Sequence, residues 1–309
     1  MSTQPQLFDR LIEQARTLGA LPMAVAHPCS KDALQGAIDV YTQGIATPIL
    51  IGPEARIRQL ADSMDLSLDG VEIDSVPHSH AAAARAVERV REGSAAFLMK
   101  GSLHTDEFLT AIIDRTKGIR TERRLSHIFL MNLKSYHKTL FITDSAINIA
   151  PDLTTKMHIC QNAIDLCHVL GIAQPKVAIL SAVETINEKI QSTLDAAALC
   201  KMADRGQIVG GLLDGPLAFD NAISRDAAQI KGILSPVAGD PDILLTPDLE
   251  SGNILSKQLI YLAGAASAGV VMGAKVPIVL NSRSDDARSR LVSAAVAALI
   301  AEHKRKLIV

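Results

Sequence analysis

Tryptophan is absent from the 309 residues, and all aromatics together reach 3%. Stacking platforms for bases or sugar rings are therefore poorly supplied. Charge of one sign is lacking as well. Thirty-one Lys and Arg against thirty-three Asp and Glu leave a net −2, which excludes a broadly basic nucleic-acid binder and a polybasic membrane anchor. No stretch approaches the ~20 uninterrupted apolar residues of a membrane span. Residues 1–16 are polar, without the apolar core of a secretory signal. The four cysteines, Cys29, Cys160, Cys167 and Cys200, show neither metal-ligand spacing nor disulfide density. The expectation is a reduced, soluble, cytoplasmic protein that meets no nucleic acid and no membrane.

What the chain does have is apolar mass, 48% of its residues, enough for a sizeable core. Most of it is Ala, Leu, Ile and Val, the residues of helices packed on buried parallel strands. At ~150 residues per domain, two domains are expected. Short apolar runs at 23–26, 48–51, 71–74, 95–99, 176–180, 208–213, 243–246, 269–272 and 277–280 read as strands. They alternate with helical patterns near 5–17, 31–43, 53–64, 80–92, 105–116, 152–170, 193–205, 219–230, 250–265 and 284–305. Such alternation predicts an α/β fold, two domains of mostly parallel sheet flanked by helices with a cleft between them. Segments 126–132 and 139–143, joined by a polar turn, read as an antiparallel hairpin. The domains are expected at 1–148 plus 284–309 and at 149–283, with the last helix folded back on the first. Leu153, Met157, Cys160, Ile164 and Cys167 follow a 4-3-4-3 spacing, which makes both cysteines core residues. Ser192 and Asp195 resemble a capping box.

The familiar nucleotide signatures are missing, since no Walker loop occurs and no strand is followed by G-x-G-x-x-G. Lys100-Gly101-Ser102-Leu103-His104-Thr105-Asp106 leaves a strand and opens a helix. Free N–H groups and hydroxyls there suit a phosphate or carbonyl oxygen, which marks Gly101, Ser102, His104 and Thr105 as candidate binding residues. A plain glycine turn with a capping residue accounts for the same pattern equally well. Asp214-Gly215-Pro216 is expected at a strand's carboxyl end, where open α/β sheets bind ligands, although an Asx turn would look the same. The loop ending at Asn253 is expected near the same rim. Asn281-Ser282-Arg283-Ser284-Asp285-Asp286 combines a hydroxyl, a guanidinium and a helix start. Arg283 can grip a phosphate bidentately and offset negative charge on oxygen. The two aspartates suit the helix dipole, whereas a cation there opposes it.

With these residues on the page, the chain resembles the phosphate acetyl/butyryltransferase family. The likeness runs through 99–109, YHKTLFITDSAINIAPD at 136–152, TLDAAALCKMADRGQIVGGLLDGPLAFDNA at 193–222, and 232–253. It continues through AGVVMGAKVPIV at 268–279 and Ser282-Arg283. The hairpin and Ser-Arg-Ser-Asp are similar to the butyryltransferase branch more than to the acetyltransferase branch. The resemblance implies two α/β domains, a homodimer, and reversible transfer of a short acyl group between coenzyme A and inorganic phosphate. It implies that acyl-CoA and phosphate are the partners and that neither a metal nor a further cofactor is needed. It also implies catalytic roles for Ser282 and Arg283. In the acetyltransferase branch an acidic general base follows seven residues after the serine; Ser289 stands there, and Asp285 becomes the candidate proton acceptor. Direct transfer in a ternary complex is expected, because no cysteine except Cys29, after His27-Pro28, has a plausible activating partner. The rival readings are a dehydrogenase of the isocitrate or hydroxythreonine-phosphate type and a non-enzymatic cleft-binding protein.

Overall fold

The computed structural model describes residues 5–281 and 285–308, so Ser282 and Arg283 lie outside the described residues. The chain forms two compact units, Gln6–Arg123 with the chain from Ala268 on, and Arg124–Ser267. In chain order the first unit contains α1 (Pro5–Arg16), β1 (Leu21–Ala26), α2 (Lys31–Thr42), β2 (Ala46–Gly52), α3 (Glu54–Ser63), β3 (Glu72–Ser75), α4 (Ser79–Arg91), β4 (Phe97–Lys100) and α5 (Thr105–Ile113). The second contains β5 (Ser126–Asn132), β6 (Leu140–Thr143), α6 (Leu153–Val169), β7 (Lys176–Leu180), α7 (Gln191–Asp204), β8 (Leu212–Leu217), α8 (Phe219–Ile223), α9 (Arg225–Ile230), β9 (Ile243–Leu245) and α10 (Leu249–Tyr261). The chain then returns to the first through β10 (Ala266–Met272), β11 (Ile278–Val279) and α11 (Ala287–Ile308).

The α/β class and the mostly parallel sheets are as expected. Strands in the first unit run β3-β2-β1-β4-β11-β10, and among the described residues the β10–β11 strand pair alone is antiparallel. In the second unit they run β5-β6-β9-β7-β8, with the expected antiparallel hairpin at β5–β6. The divisions differ from those expected at 148/149 and 283/284, and pairing explains why. β6 bonds along β9, which ties the hairpin to the later strands, while β11 bonds along β4, which ties residues after 267 to the earlier ones. The closing helix α11 does pack on α2, β4 and β11, its run Val292, Ala294–Ala298 and Ile300 fully buried.

Local chemistry explains the smaller departures. The strand expected at 208–213 is β8, four residues later. Gln161 holds both the N–H and the carbonyl of Val209, and Gly210 turns with φ 84°, so the ladder cannot begin before them. Asp214-Gly215-Pro216 thus lies inside a strand rather than at its carboxyl end, tolerable because β8 is an edge where proline's missing donor costs little. The single helix expected at 219–230 is two, because Ser224 is extended and its hydroxyl caps α9 by accepting from Ala227 N. Nor do Ser192 and Asp195 cap α7. Ser192 bonds Ser181, and Asp195 is buried against Lys156. Cys160 and Cys167 are fully buried, as their spacing predicts.

One buried group gives the second unit a pH-dependent stability. His127 in β5 is 1% exposed, stacks edge-on against Phe129, and keeps Nδ1 without a partner among the described residues. Burial pushes its pKa down to about 4, whereas in the unfolded chain it titrates near its ordinary ~6.5. The unfolded state therefore takes up a proton that the native state refuses. Stability from this group is intact above about pH 6.5 and declines as pH falls towards 4. In denaturant titrations at pH 7 and pH 4.5, His127→Leu is expected to lose less stability between the two than the parent; equal losses would refute the assignment.

Candidate active site

The carboxyl ends of β1, β4 and β11, which run parallel, release the chain at His27, Gly101 and, one residue after Leu280, Asn281. All three line one cavity of about 540 Å³ within the first unit. This is the rim where open α/β sheets hold ligands. Gly101 is there because nothing larger fits: a Cβ would stand 2.4 Å from the carbonyl oxygens of both Ala26 and His27. The close approach is sealed by Gly101 N donating to Ala26 O and Ser102 N donating to His27 O. Lys100 Nζ donates back to the carbonyls of Gly101 and Leu103 and so holds the turn.

Cations reach the cavity from three directions. Lys100 comes from β4, Arg56 from α3, and Arg290 from the first turns of α11. Arg56 is steadied through Nη2 to Cys29 O at 3.3 Å. Arg290 is 8% exposed, and its stem lies where a Cβ on Gly36 of α2 would come within 3.1 Å. Glu107, in the first turn of α5, adds a carboxylate whose Oε1 sits 2.8 Å from His80 Nδ1. Asn281 gives Nδ2 to Asp285 and Ser293, while its Oδ1 is buried and has no partner among the described residues. An acceptor held this way invites a donor from a ligand.

Of the residues marked from sequence, Gly101, Ser102 and His104 line this cavity, His104 at the N-cap position of α5 without a side-chain cap bond. Thr105 begins α5 and is not among the lining residues. Asp285 takes Asn281's amide at 3.1 Å and does not line the cavity either. Asp286 caps α11, accepting from Ser289 N, so the helix begins at Ala287 rather than at 284. Asp214 and Asn253 belong to the other unit. Asp214 Oδ1 accepts from its neighbour Gly215, and Asn253 Nδ2 donates to Ser145 O. Neither lines the second cavity, about 630 Å³ and mainly apolar, around Leu180, Phe219, Pro247, Leu255 and Leu259. Sequence reasoning passed over Arg56, Glu107 and Arg290, which carry no local signal, and read His27 only as a partner for Cys29, although His27-Pro28-Cys29 directly follows an apolar strand.

None of the four thiols is primed as a nucleophile. Burial raises the Cys29 thiol despite the opposing pull of Arg56, raises Cys160 and Cys167, and pushes Cys200 up to about 12. A protonated thiol is a poor nucleophile. Among the described residues no cluster of His, Cys, Asp and Glu has the makings of a metal site, and no helix is long and apolar enough to cross a membrane.

Fold and site together define a two-unit α/β protein that offers an anion a cation-lined seat at the ends of parallel strands. The family model for Phosphate acetyl/butaryl transferase matches residues 77–298. A phosphate acetyltransferase of Rhizobium meliloti is 57% identical over 98% of this chain and 96% of its own. A phosphate butyryltransferase of Clostridium acetobutylicum is 39% identical over 96% of this chain and 99% of its own. The crystal structure of a branched-chain phosphotransacylase from Enterococcus faecalis V583 matches with TM-score 0.79 and 29% identity, over 91% of this chain and 99% of that one. The chain belongs to the phosphate acetyl/butyryltransferase family and is an acyltransferase. That membership sets aside the dehydrogenase and binding-protein readings. Overall identity does not follow the expected lean to the butyryltransferase branch, since the acetyltransferase just named is the more similar of the two relatives.

Proposed function

We propose that the first-unit cavity carries out acyl-CoA + phosphate ⇌ acyl phosphate + CoA by direct transfer, with both substrates bound together. The observation that carries this reading is the convergence of Arg56, Lys100 and Arg290 on one cavity that also receives the start of α5 and Asn281, the residue before Ser282-Arg283. Phosphate attacks the thioester carbonyl, negative charge builds on the carbonyl oxygen, and the thiolate of CoA leaves. Cations fixed in place stabilise phosphate and the developing oxyanion without reorganising. Holding both reactants side by side supplies the remaining advantage. Ser282 and Arg283 are assigned to the reacting acyl phosphate. The raised thiol pKa values speak against an acyl-cysteine intermediate, and ternary-complex transfer needs none. The likeness to a relative named phosphate acetyltransferase favours acetyl-CoA over butyryl-CoA. The same reading includes a cytoplasmic homodimer, which the exposed apolar Ile254, Tyr261 and Leu262 would suit.

Purified protein is expected to release thiol from acetyl-CoA only when phosphate or arsenate is added, with propionyl- and butyryl-CoA turned over less efficiently. Phosphate-independent release, or none with any two- to five-carbon acyl group, would overturn the activity. A higher kcat/KM for butyryl-CoA would overturn only the acyl preference.

A further inference from the structure

Asp285 takes the amide of Asn281 and does not line the cavity, so the proton on the thiol of CoA still needs an acceptor. We propose that His27, which lines the cavity and whose Nδ1 is anchored by Ser102, is that acceptor, a catalytic base acting through Nε2. This rests on the activity proposed above.

The anchoring is specific. Ser102 Oγ donates to His27 O at 2.9 Å, and Cys29 N donates to that Oγ at 3.3 Å. His27 Nδ1 lies 3.0 Å from the same oxygen. A hydroxyl has one proton and two acceptor positions. With its proton on the carbonyl, Oγ receives both Cys29 N–H and Nδ1–H, which leaves Nε2 as the ring's lone-pair nitrogen. No partner for Nε2 is found among the described residues, and His27 lines the cavity. The backbone is held unusually to achieve this. His27 sits at φ 55°, a left-handed conformation that non-glycine residues rarely adopt, and strain of this kind collects at functional sites. Among the described residues, seven charged or titratable side chains line the same cavity: Arg56 from α3, Lys100 from β4, Asp32 from α2, Arg290 from α11, His104 and Glu107 at the start of α5, and Cys29 just after β1. Burial and then Arg56 lower the pKa of His27, while Glu107 opposes them, so the ring is neutral and ready to accept at pH 7.

The step balances. In the thiol-consuming direction the S–H proton passes to Nε2, and the sulfur pair forms the S–C bond to the acyl carbon. The bond between the acyl carbon and the bridging oxygen breaks, and its pair leaves on phosphate. The imidazolium then passes its proton to the released phosphate, and in the other direction the neutral ring takes a proton from the attacking hydrogen phosphate and gives it to the departing thiolate.

His27→Asn is the first test, because asparagine tolerates the left-handed backbone and can still donate to Ser102 while offering no base. With acetyl phosphate and CoA its kcat is expected to fall about 10²-fold at little change in KM, the usual scale of general-base loss. His27→Gly, which suits φ 55° and leaves room for a small ring, is expected to regain at least tenfold with added imidazole. Glu107→Gln removes the influence that raises His27, so the acid limb of its kcat profile is expected to move to lower pH. Turnover in His27→Asn within threefold of the parent, no imidazole rescue, or an unmoved acid limb would each overturn the assignment. Failure of the parent itself to show phosphate-dependent activity would instead overturn the activity on which it rests.

Discussion

Arg283→Ala is expected to lower turnover of acetyl-CoA with phosphate about 10²-fold or more, the scale on which a principal oxyanion donor is lost. The argument is electrostatic. Phosphate arrives doubly charged, and a further negative charge grows on the thioester oxygen as the tetrahedral species forms. Arg56, Lys100 and Arg290 already line the cavity, so ground-state phosphate keeps partners when Arg283 is removed. The loss should therefore fall on kcat more than on the KM for phosphate. Arg283→Lys restores the charge but not the planar fork, and only partial recovery is expected. Steady-state kinetics of the two variants decide it: parental rates in the alanine variant would make Arg283 a structural residue. The assignment does not lean on the helix dipole, because α11 begins at Ala287 behind the Asp286 cap, and Arg283 precedes that helix.

How far such a site can be read from a sequence depends on whether its parts are contiguous. Gly101, Ser102 and His104 were legible because one strand–turn–helix passage carries all three, and its residue types announce a helix start near an anion. Arg56, Glu107 and Arg290 were not, since each sits on a helix face that reads as ordinary amphipathic surface until strand order brings three helices to one rim. The α/β class was legible for the opposite reason: apolar runs and helical patterns repeat along the whole chain, and a slip in any one leaves the class unchanged. β8 did slip, because Gln161, far away in sequence, captures Val209 and delays the ladder. That moved Asp214 from the expected rim into a strand. The boundaries of the two compact units rest on β6 pairing with β9 and β11 pairing with β4, contacts of long sequence separation that no local pattern records.

Asp195 shows the same blindness with the larger energetic consequence. Its spacing from Ser192 suggests a surface cap, but the structure buries it between α6 and α7. Lys156 Nζ donates to Oδ2 at 2.6 Å, and Gln191 Nε2 donates to Oδ1 at 2.8 Å. The Lys156 and Asp195 side chains are 7% and 9% exposed, so water replaces little of what either partner would lose. Removing one member leaves a buried charge uncompensated, which costs roughly 3–5 kcal/mol. Against a total domain stability of ~5–15 kcal/mol, that is a large share. Lys156→Ala is accordingly expected to unfold the second unit at markedly lower urea, or to prevent its accumulation. The double substitution Lys156→Met with Asp195→Leu removes both charges and fills similar volume, and is expected to be more stable than either single change. Asp195→Asn keeps an acceptor for Gln191 but strands the ammonium, and should fall with the single losses. Urea midpoints of the four proteins test the ordering. A cost below about 1 kcal/mol for Lys156→Ala, the range of solvated surface pairs, would mean that water reaches the pair and that its burial is not what holds α6 to α7.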